Sequence, residues 1–346
     1  MKIQEHDIAP IKALGYSEEE ARFLEIVVTH SGYFVLRQFS DFVGAKSGKR
    51  SSNLGHKVES RGHGCWRTYP GSTDRVYHLF SQTLYNRIGK NKLGYQRAHG
   101  VEFIKERLIL LDFIIANRQH DYLETEQQKV DYFGRLGLPQ ESLPVKRYPI
   151  PLGSGPILKY FVDKYPLFLD SSDSTSSPVL TFSFVDPGHS SVKAFQTHLD
   201  GYRELLYQLN EWRLLYLSNS TANFAKAQAC FSRRFRSVLS NDIPGEILNY
   251  FRLRKAWDLQ NYRLFSNRKI EELNAAAKRF QGDRFEALYS AWSSNRVGTE
   301  VIAREFGQTE PDRKVGFTPY LVRGNGLGAS PFEEAGDETC KEEIRS

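Results

Sequence analysis

The stretch Gly44–Leu79, GAKSGKRSSNLGHKVESRGHGCWRTYPGSTDRVYHL, joins a basic, polar, helix-compatible segment to two short strand-like runs around a Pro-Gly-Ser turn. Between positions 44 and 69, Lys46, Lys49, Arg50, Lys57, Arg61 and Arg67 meet one acid, Glu59. The spacing predicts a helix from Ser47 to Arg61 whose clear apolar anchors are Leu54 and Val58. A core helix of that length normally carries a wider apolar stripe. One held by two residues, with Lys, Arg, Ser, Asn and His over the rest of its surface, suits a major groove, where base edges are read. The same pattern also fits an ordinary solvated helix, so the neighbours decide. Gly55 within this helix costs roughly 1 kcal/mol relative to Ala. Either the helix is interrupted there, or close backbone approach needs the missing side chain.

Upstream, Ser17-Glu18-Glu19-Glu20 has the spacing of a capping box, and its acids complement the helix dipole. Ala21, Leu24 and Val28, with Phe23 and Val27 beside them, form an apolar face that Gly32 ends. Leu36, Phe39 and Val43 repeat the pattern in a shorter helix stopping at Gly44. Downstream, Trp66, Tyr69, Val76, Tyr77 and Leu79 supply strand-forming residues, and Pro70-Gly71-Ser72-Thr73 the turn between them. Ser81 is then expected to cap a short helix with Leu84, Tyr85 and Ile88. Three helices, a two-stranded wing and a closing helix are the order of a winged helix-turn-helix. On that reading Lys46, Lys49, Arg50, Lys57 and Arg61 contact phosphates or bases of double-stranded DNA. Ser51, Asn53 and His56 read or position, and Arg67 and Arg75 sit on the wing. His56, His63 and Cys65 lack a fourth ligand at suitable spacing, so no metal is expected.

This order, with a wing strand ending Val76-Tyr77-His78-Leu79 and a helix over 81–88, resembles the replication-relaxation family of plasmid and mobile-element proteins. The match covers mainly residues 15–90. It implies a winged-helix DNA reader acting in replication, maintenance or regulation of a bacterial plasmid or mobile element. In that family the second half also echoes a restriction-endonuclease-like core.

The bulk numbers agree with a folded, basic protein. The chain has 346 residues, 40% of them hydrophobic, and a net charge of +6, which by itself is weak evidence for a nucleic-acid partner. Its distribution says more: residues 1–97 carry fifteen Lys/Arg against nine Asp/Glu, whereas 332–346 carry six acids against two bases. Cys65, Cys230 and Cys340 are isolated, which suits a reducing cytoplasm. The start of the chain does not read as a signal peptide. The most apolar stretch, Phe103–Ala116, is too short and too charged to span a bilayer.

His99–His120 reads as a strong helix through Val101, Ile104, Leu108, Leu111 and Ile115, packing between domains. A homodimer through its apolar face is an alternative use, since helix-turn-helix proteins often read two half-sites. Prolines and glycines over 137–156 mark a boundary. Beyond it, Ile157–Leu169 reads as a strand pair or one bent strand, and Val179–Val185 as a buried strand. A helix over Ser191–Leu209, a strand at Trp212–Ser218 and a helix at Ala222–Phe235 follow, together an α/β pattern with a mixed sheet. An active nuclease of the restriction-endonuclease-like type needs strand-end carboxylates with a nearby lysine to hold a divalent metal. Asp163 with Lys164, and Asp186, are the candidates, but Phe182 and Ser183 stand where a carboxylate-x-Lys pair is wanted. No Walker A, Rossmann or nucleophile-elbow motif is present. In RLRKAW, Arg252, Arg254 and Lys255 form either a second phosphate patch or the solvent side of a docking helix.

The expected architecture is therefore a multidomain α+β and α/β chain. It comprises a winged helix-turn-helix over 1–97, a connector helix and linker over 98–150, an α/β domain with C-terminal helices over 151–297, and a flexible acidic tail over 298–346. Double-stranded DNA is the expected partner, with no cofactor and no catalytic residue. A metal-dependent nuclease and a non-catalytic scaffold are the alternatives.

Overall fold

The computed structural model describes residues 5–45, 48–69, 74–90, 93–149, 156–170, 178–188, 192–235, 243–306 and 314–322. The chain is a mixed α/β protein of two compact units, Met1–Phe231 with Gly316–Ser346, and Ser232–Val315.

The first unit begins with α1 (Glu5–Lys12) and α2 (Glu18–His30). Ser17 caps α2 as its spacing predicts: its hydroxyl accepts the Glu20 amide and the Glu20 carboxylate accepts the Ser17 amide. β1 (Tyr33–Val35) and α3 (Leu36–Val43) follow, and Gly44 closes α3 at φ +66°. α4 runs unbroken over Lys49–Ser60, then β2 (Gly64–Arg67), β3 (Val76–Leu79) and α5 (Gln82–Arg87). The three strands form an antiparallel sheet in the order β1-β3-β2. Strand β1, three residues long, is too short to show alternation and is not foreseen by the sequence pattern.

Gly55 does not break α4. A Cβ at this position would collide with Tyr77 Oη and lie 2.8 Å from its Cζ, so the glycine lets α4 lie against the β3 tyrosine. Of the two expectations for Gly55, close approach is the one realised.

α6 (Val101–Ala116) is the middle of the unit. Ile104 and Leu108 pack with Tyr33, Val35 and Val76 of the three-stranded sheet, while Leu110, Leu111, Phe113 and Ile114 lie in the main core with Phe168, Val185 and Leu217. A helix apolar nearly all round is buried all round. Most of its apolar residues are covered by the chain itself, in keeping with a packing helix.

After α6 come β4 (Asp121–Tyr122), α7 (Glu126–Arg135), β5 (Val145–Tyr148), β6 (Ile157–Tyr160), β7 (Leu167–Asp170) and β8 (Val179–Asp186). Then follow α8 (Val192–Gln208), β9 (Glu211–Ser218) and α9 (Phe224–Arg234). A five-stranded sheet has the order β10-β9-β8-β7-β4, with β10 at Lys314–Leu321. Strands β8 and β9 are parallel, and α8 supplies the crossover such a pair requires. Ile157–Leu169 holds two strands rather than one bent strand, and they lie in different sheets: β6 joins β5 and β7 joins β8. Between them Phe161 (φ +49°) and Lys164 (φ +53°) take left-handed conformations that turn the chain from one sheet to the other. Arg107 of α6, fully buried, stabilises this turn by donating to the carbonyls of Asp163 (3.0 Å) and Lys164 (3.2 Å).

The second unit holds α10 (Ile243–Asp258), α11 (Asn267–Arg279), α12 (Asp283–Ser293) and α13 (Thr299–Phe306) around Ile247, Phe251, Phe280, Leu288 and Ile302. Stretch 298–346, expected as a flexible tail, thus contains a helix and a sheet strand. Its acidic end, 323–346, lies outside the described residues. Among the described residues no helix is long and apolar enough to cross a membrane.

Two substitutions check these contacts by urea unfolding. Gly55→Ala destabilises by about 1–3 kcal/mol through overpacking, opposite in sign to the ~1 kcal/mol gain expected in an open helix. Arg107→Met costs about 3 kcal/mol by leaving two carbonyls of the turn without their donor.

Candidate nucleic-acid interface

The inward face of α4 consists of Ser51, Leu54, Gly55 and Val58, at spacings of three and four. Small residues at Ser51 and Gly55 widen the stripe beyond the two anchors that hydropathy reveals. Ser51 is buried and shares a 2.6 Å hydrogen bond with Ser40 of α3. It joins α3 to α4 and is not on the exposed face expected of a reading residue. The i, i+3, i+4, i+7 repeat from Ser51 to Val58 is the signal that places it inward.

The remaining candidates fall into two rows. Arg50, Lys57 and Arg61 line one flank and are engaged by the protein. Arg50 pairs with Glu19. Lys57 pairs with Glu20 at 2.6 Å, and the Arg61 guanidinium lies 4.9 Å from the ring centre of Tyr16. Lys49, Ser52, Asn53, His56, Glu59 and Ser60 form the outward crest, all exposed. Ser52 and Ser60 were not among the expected contacts, although helical spacing sets them beside Asn53 and His56. Lys46 lies outside the described residues, as does the turn 70–73.

At the start of α4, Gly48 makes no side-chain cap and no acid stands in the first turn. Lys49 and Arg50 sit at the positive end of the helix dipole. Cations at that end are unfavourable alone and favourable beside an anion.

On the two-stranded part, Arg75 is exposed and its guanidinium lies 3.9 Å from the Trp66 ring centre, while Arg67 is half-buried on β2. Both flank the turn, and Arg75 lies stacked on the indole. His63, buried, exchanges a 2.7 Å hydrogen bond between its Nδ1 and Tyr16 Oη. Burial, with help from Arg61, holds its pKa below the usual imidazole value. Among the described residues no group of three His, Cys, Asp or Glu side chains is placed to hold a metal.

The two nuclease candidates are held by protein donors. Asp163 accepts from Tyr202 Oη at 2.9 Å and lies 3.2 Å from His198 Nδ1. Burial alone would raise its pKa, but His198, the Lys129 charge and the Tyr165 amide together hold it below the usual carboxylate range. Asp186, fully buried at the end of β8, accepts from Tyr216 Oη (2.6 Å), Asn223 Nδ2 (3.0 Å) and the Gly188 amide (2.9 Å). In RLRKAW, Arg254 makes a two-point ion pair with Glu286 (both 2.7 Å) and Lys255 donates to the Ser293 carbonyl (3.0 Å), which docks α10 on α12.

No family model, no curated protein and no solved structure matches this chain.

The strand that backs α4 carries a titrating group. His78 of β3 stacks on Tyr33 (4.4 Å between centres) and its Nε2–H donates to the Tyr95 carbonyl at 2.9 Å. Burial first, then the charges of His99 and Arg67, push its pKa down to about 4, against the Tyr95 hydrogen bond. The folded state therefore binds fewer protons than the unfolded one between the folded value near 4 and the ordinary 6.5. This contribution is intact above the ordinary value and is lost as pH falls through that window. Unfolding free energies of His78→Gln, measured across it, should show a shallower acid-side slope than the parent.

Proposed function

We propose that residues 18–79 form a winged helix-turn-helix that binds double-stranded DNA, with α4 entering the major groove. The observation that carries this reading is the outward crest of α4. Its side chains are exposed hydrogen-bonding groups and a lysine, with one acid, Glu59, toward its far end, on a helix whose inward face is packed. The element order helix, strand, helix, helix, strand, strand, with the sheet order β1-β3-β2, supports the same reading.

Roles follow from position. Lys49, with the first-turn amides, contacts phosphate. Asn53 and His56, at the middle of the crest, reach base edges, and Ser52 and Ser60 flank them. Arg50 is exposed together with its partner Glu19, so that pair is worth ~0–1 kcal/mol and the guanidinium can turn to a phosphate at small cost. Lys57 faces a mostly buried Glu20 that also caps α2, and remains a structural residue. Arg75 and Arg67 set positive charge beside the turn. The resemblance to the replication-relaxation family supplies the setting: replication, maintenance or regulation of a plasmid or mobile element. The hydrogen bonds that engage Asp163 and Asp186 leave the nuclease reading without a supporting observation.

A salt series tests the binding claim. Affinity for duplex DNA should fall steeply between about 50 and 200 mM salt, and Lys49→Ala should reduce the logarithmic slope by about one. Asn53→Ala should lose about 1–3 kcal/mol of discrimination at one base position, read by competition among selected sequences. Binding indifferent to salt and to both substitutions would sink the reading.

A further inference from the structure

β5 and β6 pair antiparallel as a two-stranded ribbon separate from both larger sheets. Seven of its eight residues are exposed and Tyr160 is half-buried. A ribbon open on both faces gains little stability from packing. It is fastened at its base, where the Phe161 amide donates to the Pro144 carbonyl (3.0 Å) and Glu126 accepts the Tyr160 amide (2.8 Å).

The register distributes charge in an unusual way. Lys146 stands opposite Lys159, and Tyr148 opposite Ile157, on one face; Arg147 stands opposite Leu158, and Val145 opposite Tyr160, on the other. Like charges directly opposite each other destabilise a strand pair. No acid occurs among the eight ribbon residues or the 149–156 segment joining them. Among the described residues Lys146, Arg147 and Lys159 make no ion pair. The Lys146 ammonium lies 5.4 Å from the Tyr148 ring centre, so that ring backs the charge without neutralising it.

We propose that this ribbon is a second arm for double-stranded nucleic acid, contacting backbone phosphates through Lys146 and Lys159 from one face and Arg147 from the other. The major groove admits a two-stranded ribbon and is walled by two phosphate backbones. Exposed cations with no acid among them suit such a polyanion, and a phosphate near Lys146 and Lys159 relieves their mutual repulsion. A protein partner matches less well. The exposed apolar side chains are divided, Tyr148 and Ile157 on one face and Val145 and Leu158 on the other, so neither face carries a broad apolar patch. The inference rests on the duplex binding proposed above and assigns it a second contact element.

The test compares three full-length proteins on the same duplex across salt: the parent, Lys146→Gln with Lys159→Gln, and Lys49→Ala with Arg50→Ala. All substituted residues are exposed, and matching melting temperatures verify that the fold is retained. The ribbon variant should bind at least about tenfold more weakly at low salt, with a logarithmic salt slope smaller by about two. Parent-like affinity and slope in the ribbon variant, with weakening in the α4 variant, overturn the ribbon and leave α4 standing. The reverse pattern upholds the ribbon and overturns α4. Absence of duplex binding by the parent removes both. A fourth protein, Leu158→Asp, is weighed by light scattering: a changed assembly mass with unchanged duplex affinity would make the ribbon a protein interface and overturn the proposal.

Discussion

Burial of α6 on all sides is the constraint from which the rest of the first unit follows. The helix is apolar around most of its circumference, so it needs a partner on every side, and two sheets supply them. Its polar residues are spent on holding neighbours. Asp112 receives two hydrogen bonds from Arg37 (3.0 and 2.9 Å) and one from Gln38 Nε2 (3.0 Å), fixing α3 against α6. Arg107 fixes the left-handed turn that separates the ribbon from the five-stranded sheet. From α3 the chain of contacts runs to α4 through Ser40 and Ser51, and from β3 through Tyr77 over Gly55. The outward crest of α4 is thereby held from behind on two sides, as the proposed base-reading role would require.

Charge on α4 is divided between structure and surface. A count of cations over 44–69 suggests a uniformly basic helix, but Lys57 serves the α2 cap and Arg61 stacks on Tyr16. These tie α4 to the first helices. Lys49 alone on the crest, with Arg50 exchangeable at the flank, leaves a surface rich in hydrogen-bonding groups and modest in charge. In the proposed reading that balance favours selectivity over raw electrostatic affinity. The ribbon, whose three cations make no ion pair among the described residues and whose strands hold no acid, would in the proposed reading complement it with charge and few reading groups.

Signals confined to neighbouring residues were legible. Ser17 to Glu20 reads directly as a capping box, Gly44 as a helix stop, and Val179–Val185 as a buried strand, because each depends on contacts within a few positions. The candidate site was legible only in part. Helical spacing could have turned Ser51 inward and set Ser52 and Ser60 outward, since small residues at i and i+4 extend a buried stripe without adding hydropathy. Engagement of Arg50 by Glu19 and of Lys57 by Glu20 joins residues more than thirty positions apart, which no local pattern encodes. β10 escaped for a related reason: its place beside β9 is set by the sheet, not by apolar density near 314–321. The split of Ile157–Leu169 between two sheets hangs on left-handed backbone at Phe161 and Lys164, residue types that carry no such preference.

Photo-crosslinking from the crest tests the central claim most directly. Benzoylphenylalanine replacing Asn53 or His56 lies on the outward row of α4, and the same group replacing Glu272 on α11 serves as a control. With α4 in the major groove, irradiation in the presence of duplex links the first two to DNA at defined base positions and leaves the control unlinked. Duplex-bound protein that crosslinks from neither 53 nor 56 would contradict the account and move the interface off α4.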